Sequence, residues 1–121
     1  MHSSSARLSA LVAALATLVL VAALAGGEVR PYVVTAIDYH FHDAHPTLPI
    51  GPGRDLIVRN QGRNVHNVTI PALGFSQDLR PGRQVVIRSI ADLLAPGRYE
   101  LFCQIHLEAF GMKGVIVISP E

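Results

Sequence analysis

The chain holds one cysteine among 121 residues. No disulfide can form within it, and a lone thiol asks for burial, a partner chain or a metal ion as its explanation. Its ten Lys and Arg residues are scattered, which excludes the clustered basic surface that a phosphate backbone requires, so no nucleic-acid partner is expected. Removing Arg7 with the leader described below takes the basic count from ten to nine, matching the nine acidic residues. Beyond residue 30 no stretch shows a convincing helical period, and there is no internal repeat and no low-complexity tract.

Long apolar runs are also missing, with one exception. Leu8 to Ala25 is uncharged and rich in Ala, Leu and Val, and it follows a short polar start carrying Arg7. Ala23-Leu24-Ala25 ahead of Gly26 gives the small-x-small exit of a signal peptide. The run exceeds the usual apolar region of about 7–15 residues, while a spanning helix takes about 20, so an uncleaved hydrophobic anchor is the alternative. The expected organisation is a leader or anchor over 1–25, a linker over 26–31 and one domain over 32–121. The protein is then periplasmic or extracellular, touching a membrane only through an uncleaved N-terminal segment. About 90 residues remain for one small core, near the size at which an extra staple helps.

What is present reads as β-structure. "YVVTAIDYHF" (32–41), "DLIVRN" (55–60), "HNVTI" (66–70), "RQVVIRSI" (83–90), "GRYELFC" (97–103) and "KGVIVIS" (113–119) are rich in β-branched and aromatic residues. The segments between them, "HPTLPIGPGR", "NQGRN", "PALGFSQDLRPG" and "LLAPG", carry turn-forming Gly, Pro, Asn or Asp. "ADLLAPG" has room for one helical turn. Many short strands at this spacing predict an all-β sandwich or barrel. Alternation puts Val68 with Ile70 on one face and Tyr99, Leu101 and Cys103 on another, whereas "GVIVIS" is apolar on both faces and is expected in mid-sheet.

The segment "LFCQIHLEAFGM" (101–112) gathers Cys103, His106 and Met112 within ten residues. A thiolate, an imidazole and a thioether on one loop need a second imidazole to complete a blue-copper set, and His66 at the start of another strand is the candidate. Two His, one Cys and a weak axial Met form the trigonal arrangement of a copper electron-transfer centre.

"NVHNVTI" followed by "YELFCQIHLEAFGMKGVIVI" resembles the cupredoxins, the small blue copper proteins, over roughly residues 32 to 119. The resemblance implies a Greek-key β-sandwich of seven or eight strands with one copper ion at one end. It also implies His66, Cys103, His106 and Met112 as ligands. Asn67 matches the polar residue that ties the two ligand segments together and presents a backbone N–H to the cysteine sulfur. One departure concerns Met112, which follows His106 after five intervening residues where two or four are the spacings of such relatives. Glu108 or a backbone carbonyl is the alternative axial donor. A dinuclear CuA centre needs two cysteines, and a multicopper oxidase needs greater length and a His-Cys-His motif, so both are excluded.

The expected activity is therefore one-electron carriage between larger redox partners, with no bond-making chemistry. A copper-binding or delivery protein of the same fold is the alternative. Docking is expected at an apolar patch around His106 built from "PALGF" (71–75), Leu107, Ala109 and Phe110. Cys103 and His106 lack the oxyanion-stabilising element that a thiol enzyme needs. His40, His42 and His45 in "DYHFHDAHP" read as a solvated strand face and turn, or as an accessory Cu or Zn site with Asp38 and Asp43 nearby.

Overall fold

The computed structural model describes residues 29–44 and 48–120. The expected N-terminal helix, the boundary at residue 25 and His45 lie outside the described residues. Among these there are nine strands: β1 (Tyr32–Ile37), β2 (His40–His42), β3 (Pro49–Ile50), β4 (Leu56–Asn60), β5 (His66–Ile70), β6 (Phe75–Leu79), β7 (Gln84–Ile87), β8 (Gly97–Phe102) and β9 (Lys113–Ile118). Two one-turn helices, α1 (Ile90–Leu93) and α2 (Leu107–Phe110), and a 3-10 turn at Pro71–Leu73 complete the described part.

The strands form two sheets, one in the order β2-β1-β4-β7 and the other β3-β9-β8-β5-β6. Pairing is antiparallel except for β1 with β4 and β3 with β9. The sheets pack face to face over one apolar core, as side-chain alternation requires. Tyr32, Val34 and Ala36 of β1 and Leu56 and Val58 of β4 point inward from one side; Val68, Ile70, Leu101, Ile116 and Ile118 point inward from the other. Burying each such aliphatic side chain contributes about 1.5–3 kcal/mol, which makes this layer the main stabilising element.

Three elements depart from the sequence reading. The run 32–41 is a hairpin rather than one strand: β1 ends at Ile37, the chain turns at Asp38 and Tyr39, and β2 returns antiparallel with His42 opposite Thr35 and His40 opposite Ile37. The turn shifts the alternation, so Phe41 is buried and both flanking histidines are exposed. Within "PALGFSQDLRPG", expected to be a turn, Phe75–Leu79 is a strand paired along its length with β5. β3 is a two-residue strand inside another expected turn, so the strands number nine rather than seven or eight. The expected helical turn is present as α1, and "GVIVIS" lies in β9, hydrogen-bonded to neighbours on both sides.

Candidate metal centre

The centre lies where β5 begins and β8 ends, between the sheets. Alternation places His66 on the inward face with Val68 and Ile70, and Cys103, one residue past β8, inward with Leu101; all five are fully buried. After Cys103 the chain turns tightly, with the His106 N–H donating to the Cys103 carbonyl at 3.2 Å, which returns the His106 ring toward the sulfur. His66 Nδ1 and His106 Nδ1 are 3.1 Å apart, and His106 Nδ1 is 3.5 Å from Cys103 Sγ. The three donor atoms all lie within 4.8 Å of one another, the one such group of three or more His, Cys or carboxylate donors among the described residues.

The two separations from His106, 3.1 Å to His66 and 3.5 Å to Cys103, suit a shared ion. With metal–nitrogen bonds of about 2.0–2.1 Å and metal–sulfur bonds of about 2.3 Å, two donors on one ion sit roughly 3–4 Å apart. One thiolate and two imidazoles, with His66 and Cys103 fully buried and His106 half-buried, match the soft and borderline preference of copper. The donors present thus fit the ion that the sequence implied.

Met112 is fully buried. Its carbonyl accepts from the Cys103 N–H at 3.0 Å and its N–H donates to the His106 carbonyl at 3.4 Å, which sets its backbone beside both donors. The five-residue spacing has a physical origin. After His106 the chain makes the single turn α2, which ends at Gly111 in the left-handed region (φ 64°), its N–H donating to the Leu107 carbonyl at 2.8 Å. Glycine reaches this conformation without the Cβ penalty, so the loop closes and delivers Met112 back to Cys103. Glu108 lies on α2, exposed and outside the three-donor group.

Asn67 links the two donor segments. Its backbone N–H donates to Cys103 Sγ at 3.2 Å. Its side-chain oxygen accepts from the Gln104 N–H at 3.1 Å and from the Thr69 hydroxyl at 2.6 Å. Its amide nitrogen donates to Asp78 Oδ1 at 2.8 Å and Ser76 Oγ at 3.1 Å. The last two partners stand on β6, the strand missed in the sequence.

The structure adds residues that the sequence reading did not place at this centre. Asp38, grouped there with the histidines of β2, instead meets His66: Nε2 and Asp38 Oδ1 are 2.5 Å apart. With Nε2–H donating to the carboxylate, His66 keeps the lone pair on Nδ1, the atom facing His106 and the sulfur. A carboxylate behind a ligating imidazole fixes its tautomer and raises its basicity. Asp38 is itself held below the usual carboxylate range, chiefly by the Arg63 backbone N–H; desolvation opposes this, and His66 and the Asn64 N–H add to the lowering. His106 is pushed below the ordinary imidazole value, first by desolvation and then by neighbouring His66, which favours the neutral form that a metal needs. A Cβ on Gly62 would overlap Asp38 Oδ1 and lie 2.8 Å from His66 Nε2, so the absent side chain makes room for this pair.

Above the histidines lies an aromatic layer. Tyr39 stacks on Phe110 with ring centroids 3.8 Å apart and planes within 3°, and meets the His106 ring edge-on at 4.9 Å. The turn joining β1 to β2 thus supplies both Asp38 and Tyr39, so the first sheet closes over donors carried by the second. Of the expected apolar patch, Phe110 is 54% exposed, Ala109 is exposed, and Leu107 and Phe75 are half-buried. Val65 and Ile105, immediately before His66 and His106, are also exposed.

The sandwich and the buried His-Cys-His cluster at one end of it define the class. The sequence profile of the cupredoxin-like domain matches residues 9–118, and the chain belongs to that family. Among solved structures it is similar to a copper-containing nitrite reductase from Thermus scotoductus SA-01 (TM-score 0.58, 22% identity), covering 73% of this chain and 22% of that one. The chain thus spans about a fifth of that enzyme's length. It is likewise similar to plastocyanin from the fern Dryopteris crassirhizoma (TM-score 0.56, 16% identity), with 72% and 99% of the two chains covered. A purple cupredoxin from Nitrosopumilus maritimus gives a TM-score of 0.54 at 14% identity, with 76% and 100% covered. At these identities the likeness establishes the fold. No curated protein matches the chain.

Proposed function

We propose that the protein is an exported carrier of single electrons, in which His66, Cys103 and His106, with Met112 as a fourth and weaker donor, would hold one copper ion. The observation that carries this reading is the group of one sulfur and two imidazole nitrogens within 4.8 Å, two of its three residues fully buried. Copper bound there supplies a one-electron Cu(I)/Cu(II) couple. The chain supplies the rest. Asn67 holds the sulfur through its N–H and joins the two segments, Asp38 orients His66, and burial keeps water from His66 and Cys103. A scaffold that fixes its donors in advance limits the rearrangement accompanying each change of charge.

His106 is the most exposed of the three donors, and its ring meets that of Phe110. Phe110, Ile105 and Val65, the last two preceding His106 and His66 in the chain, form an exposed apolar rim of the ligand segments. We place the docking of larger redox proteins on this rim, because a small apolar contact allows brief association. The leader over residues 8–25 fits export to the periplasm or the cell exterior.

The test is voltammetry together with a chelator challenge on the copper-loaded protein. Reversible one-electron cycling with the ion retained supports the carrier. Rapid loss of copper to a chelator, without reversible cycling, would favour a delivery protein of the same fold.

A further inference from the structure

A second pair of imidazoles remains outside the Cys103 centre. β2 is three residues long and forms an edge of its sheet. Phe41 points into the core, so His40 and His42 both project outward and are exposed. Their Nε2 atoms face one another at 3.0 Å, with ring centroids 4.3 Å apart and planes at 66°. Across the strand pair they face Thr35 and Ile37, so no cation stands directly opposite either ring.

A hydrogen bond between two exposed rings gains little over hydrogen bonds to water. The separation has another consequence. Two nitrogens bound to adjacent positions on one divalent ion, each at about 2.0–2.1 Å, lie about 2.9–3.3 Å apart, and the observed distance falls in that window. The strand backbone and the buried Phe41 fix where both side chains leave β2, on the same outward face, so an ion needs only to order the two rings.

We infer that His40 and His42 form a second, solvent-facing site that chelates one borderline divalent ion through two Nε2 atoms, with water completing the coordination. Imidazole nitrogen selects Cu²⁺, Zn²⁺ or Ni²⁺ over Ca²⁺ and Mg²⁺, and Cu²⁺ binds most tightly of the divalent series. The site contains no thiolate, so an ion there has none of the sulfur chemistry of the Cys103 centre. It borders that centre, because His40 follows directly on Tyr39, whose ring packs on His106.

The experiment titrates Cu²⁺ into the full chain carrying Cys103→Ser and His106→Ala, read by calorimetry and paramagnetic resonance, so two of the three donors of the first centre are gone and only His66 remains there. Cu²⁺ should bind with an ordinary nitrogen-ligated spectrum, and adding either His40→Ala or His42→Ala should weaken that binding at least tenfold. Both positions are exposed, so the variants should keep the melting temperature of the parent. A chain carrying both alanines that binds Cu²⁺ as tightly as its parent would overturn the inference, as would a parent whose spectrum shows no imidazole nitrogen.

Discussion

Replacing Asn67 with alanine tests how the two donor segments are held together. The side chain makes four hydrogen bonds, to Gln104 N, Thr69 Oγ1, Ser76 Oγ and Asp78 Oδ1, while being 3% exposed. A typical internal hydrogen bond contributes about 0.5–1.5 kcal/mol net. Thr69, Ser76 and Asp78 are at least partly open to water and regain partners there, so their three bonds count at the low end, while the bond that spans the two segments counts near the middle. The sum is a loss of about 2–3 kcal/mol in urea unfolding of the metal-free protein, with the slope unchanged. Asn67→Asp sharpens the test because it keeps the shape, removes both donated bonds and sets a second carboxylate against Asp78. Above the carboxylate range it should destabilise more than alanine. Its folded-state pKa would be raised by that repulsion, so the excess penalty should fade as pH drops through that raised value. A loss under about 0.5 kcal/mol for Asn67→Ala, or an aspartate variant as stable as the parent at neutral pH, would refute the reasoning.

Asp38→Asn, with Asp38→Ala beside it, should weaken copper binding by about 10- to 100-fold in competition with a chelator, since partners behind ligating imidazoles have effects of that size. The alanine variant should show the larger loss, and equal affinity in all three proteins would remove Asp38 from the centre. Met112→Leu should leave copper bound and raise the reduction potential, because a lost thioether no longer stabilises Cu(II); an unchanged spectrum and potential would take Met112 off the list of donors.

The parts of this site that were legible from the sequence are those whose chemistry is rare. Cys103, His106 and Met112 stood out because soft and borderline donors seldom crowd into ten residues, and His66 because it begins an alternating strand. β9 was legible from its unbroken apolar run. β6 was not: in "FSQDL" only Leu79 is buried, so this edge strand carries no period and exists through its ladder with β5. α2 is a single turn, too short for periodicity to register, and only Gly111 signals its end. Asp38 and Tyr39 act through partners 28 and 71 positions away, His66 and Phe110, and no local pattern announces contacts of that range. The hairpin had a readable trace. Tyr32, Val34 and Ala36 set a phase that would have carried His40 and His42 into the core, and only a turn restores them to solvent.

The central claim, one copper ion bonded to the Cys103 sulfur and two imidazoles, is tested most directly by the absorption and paramagnetic-resonance spectrum of the Cu(II)-loaded protein beside its Cys103→Ser variant. An intense visible thiolate-to-copper band with narrow hyperfine splitting, lost in the serine variant, is the predicted result. Colourless Cu(II) binding with the same resonance spectrum in both proteins would contradict it.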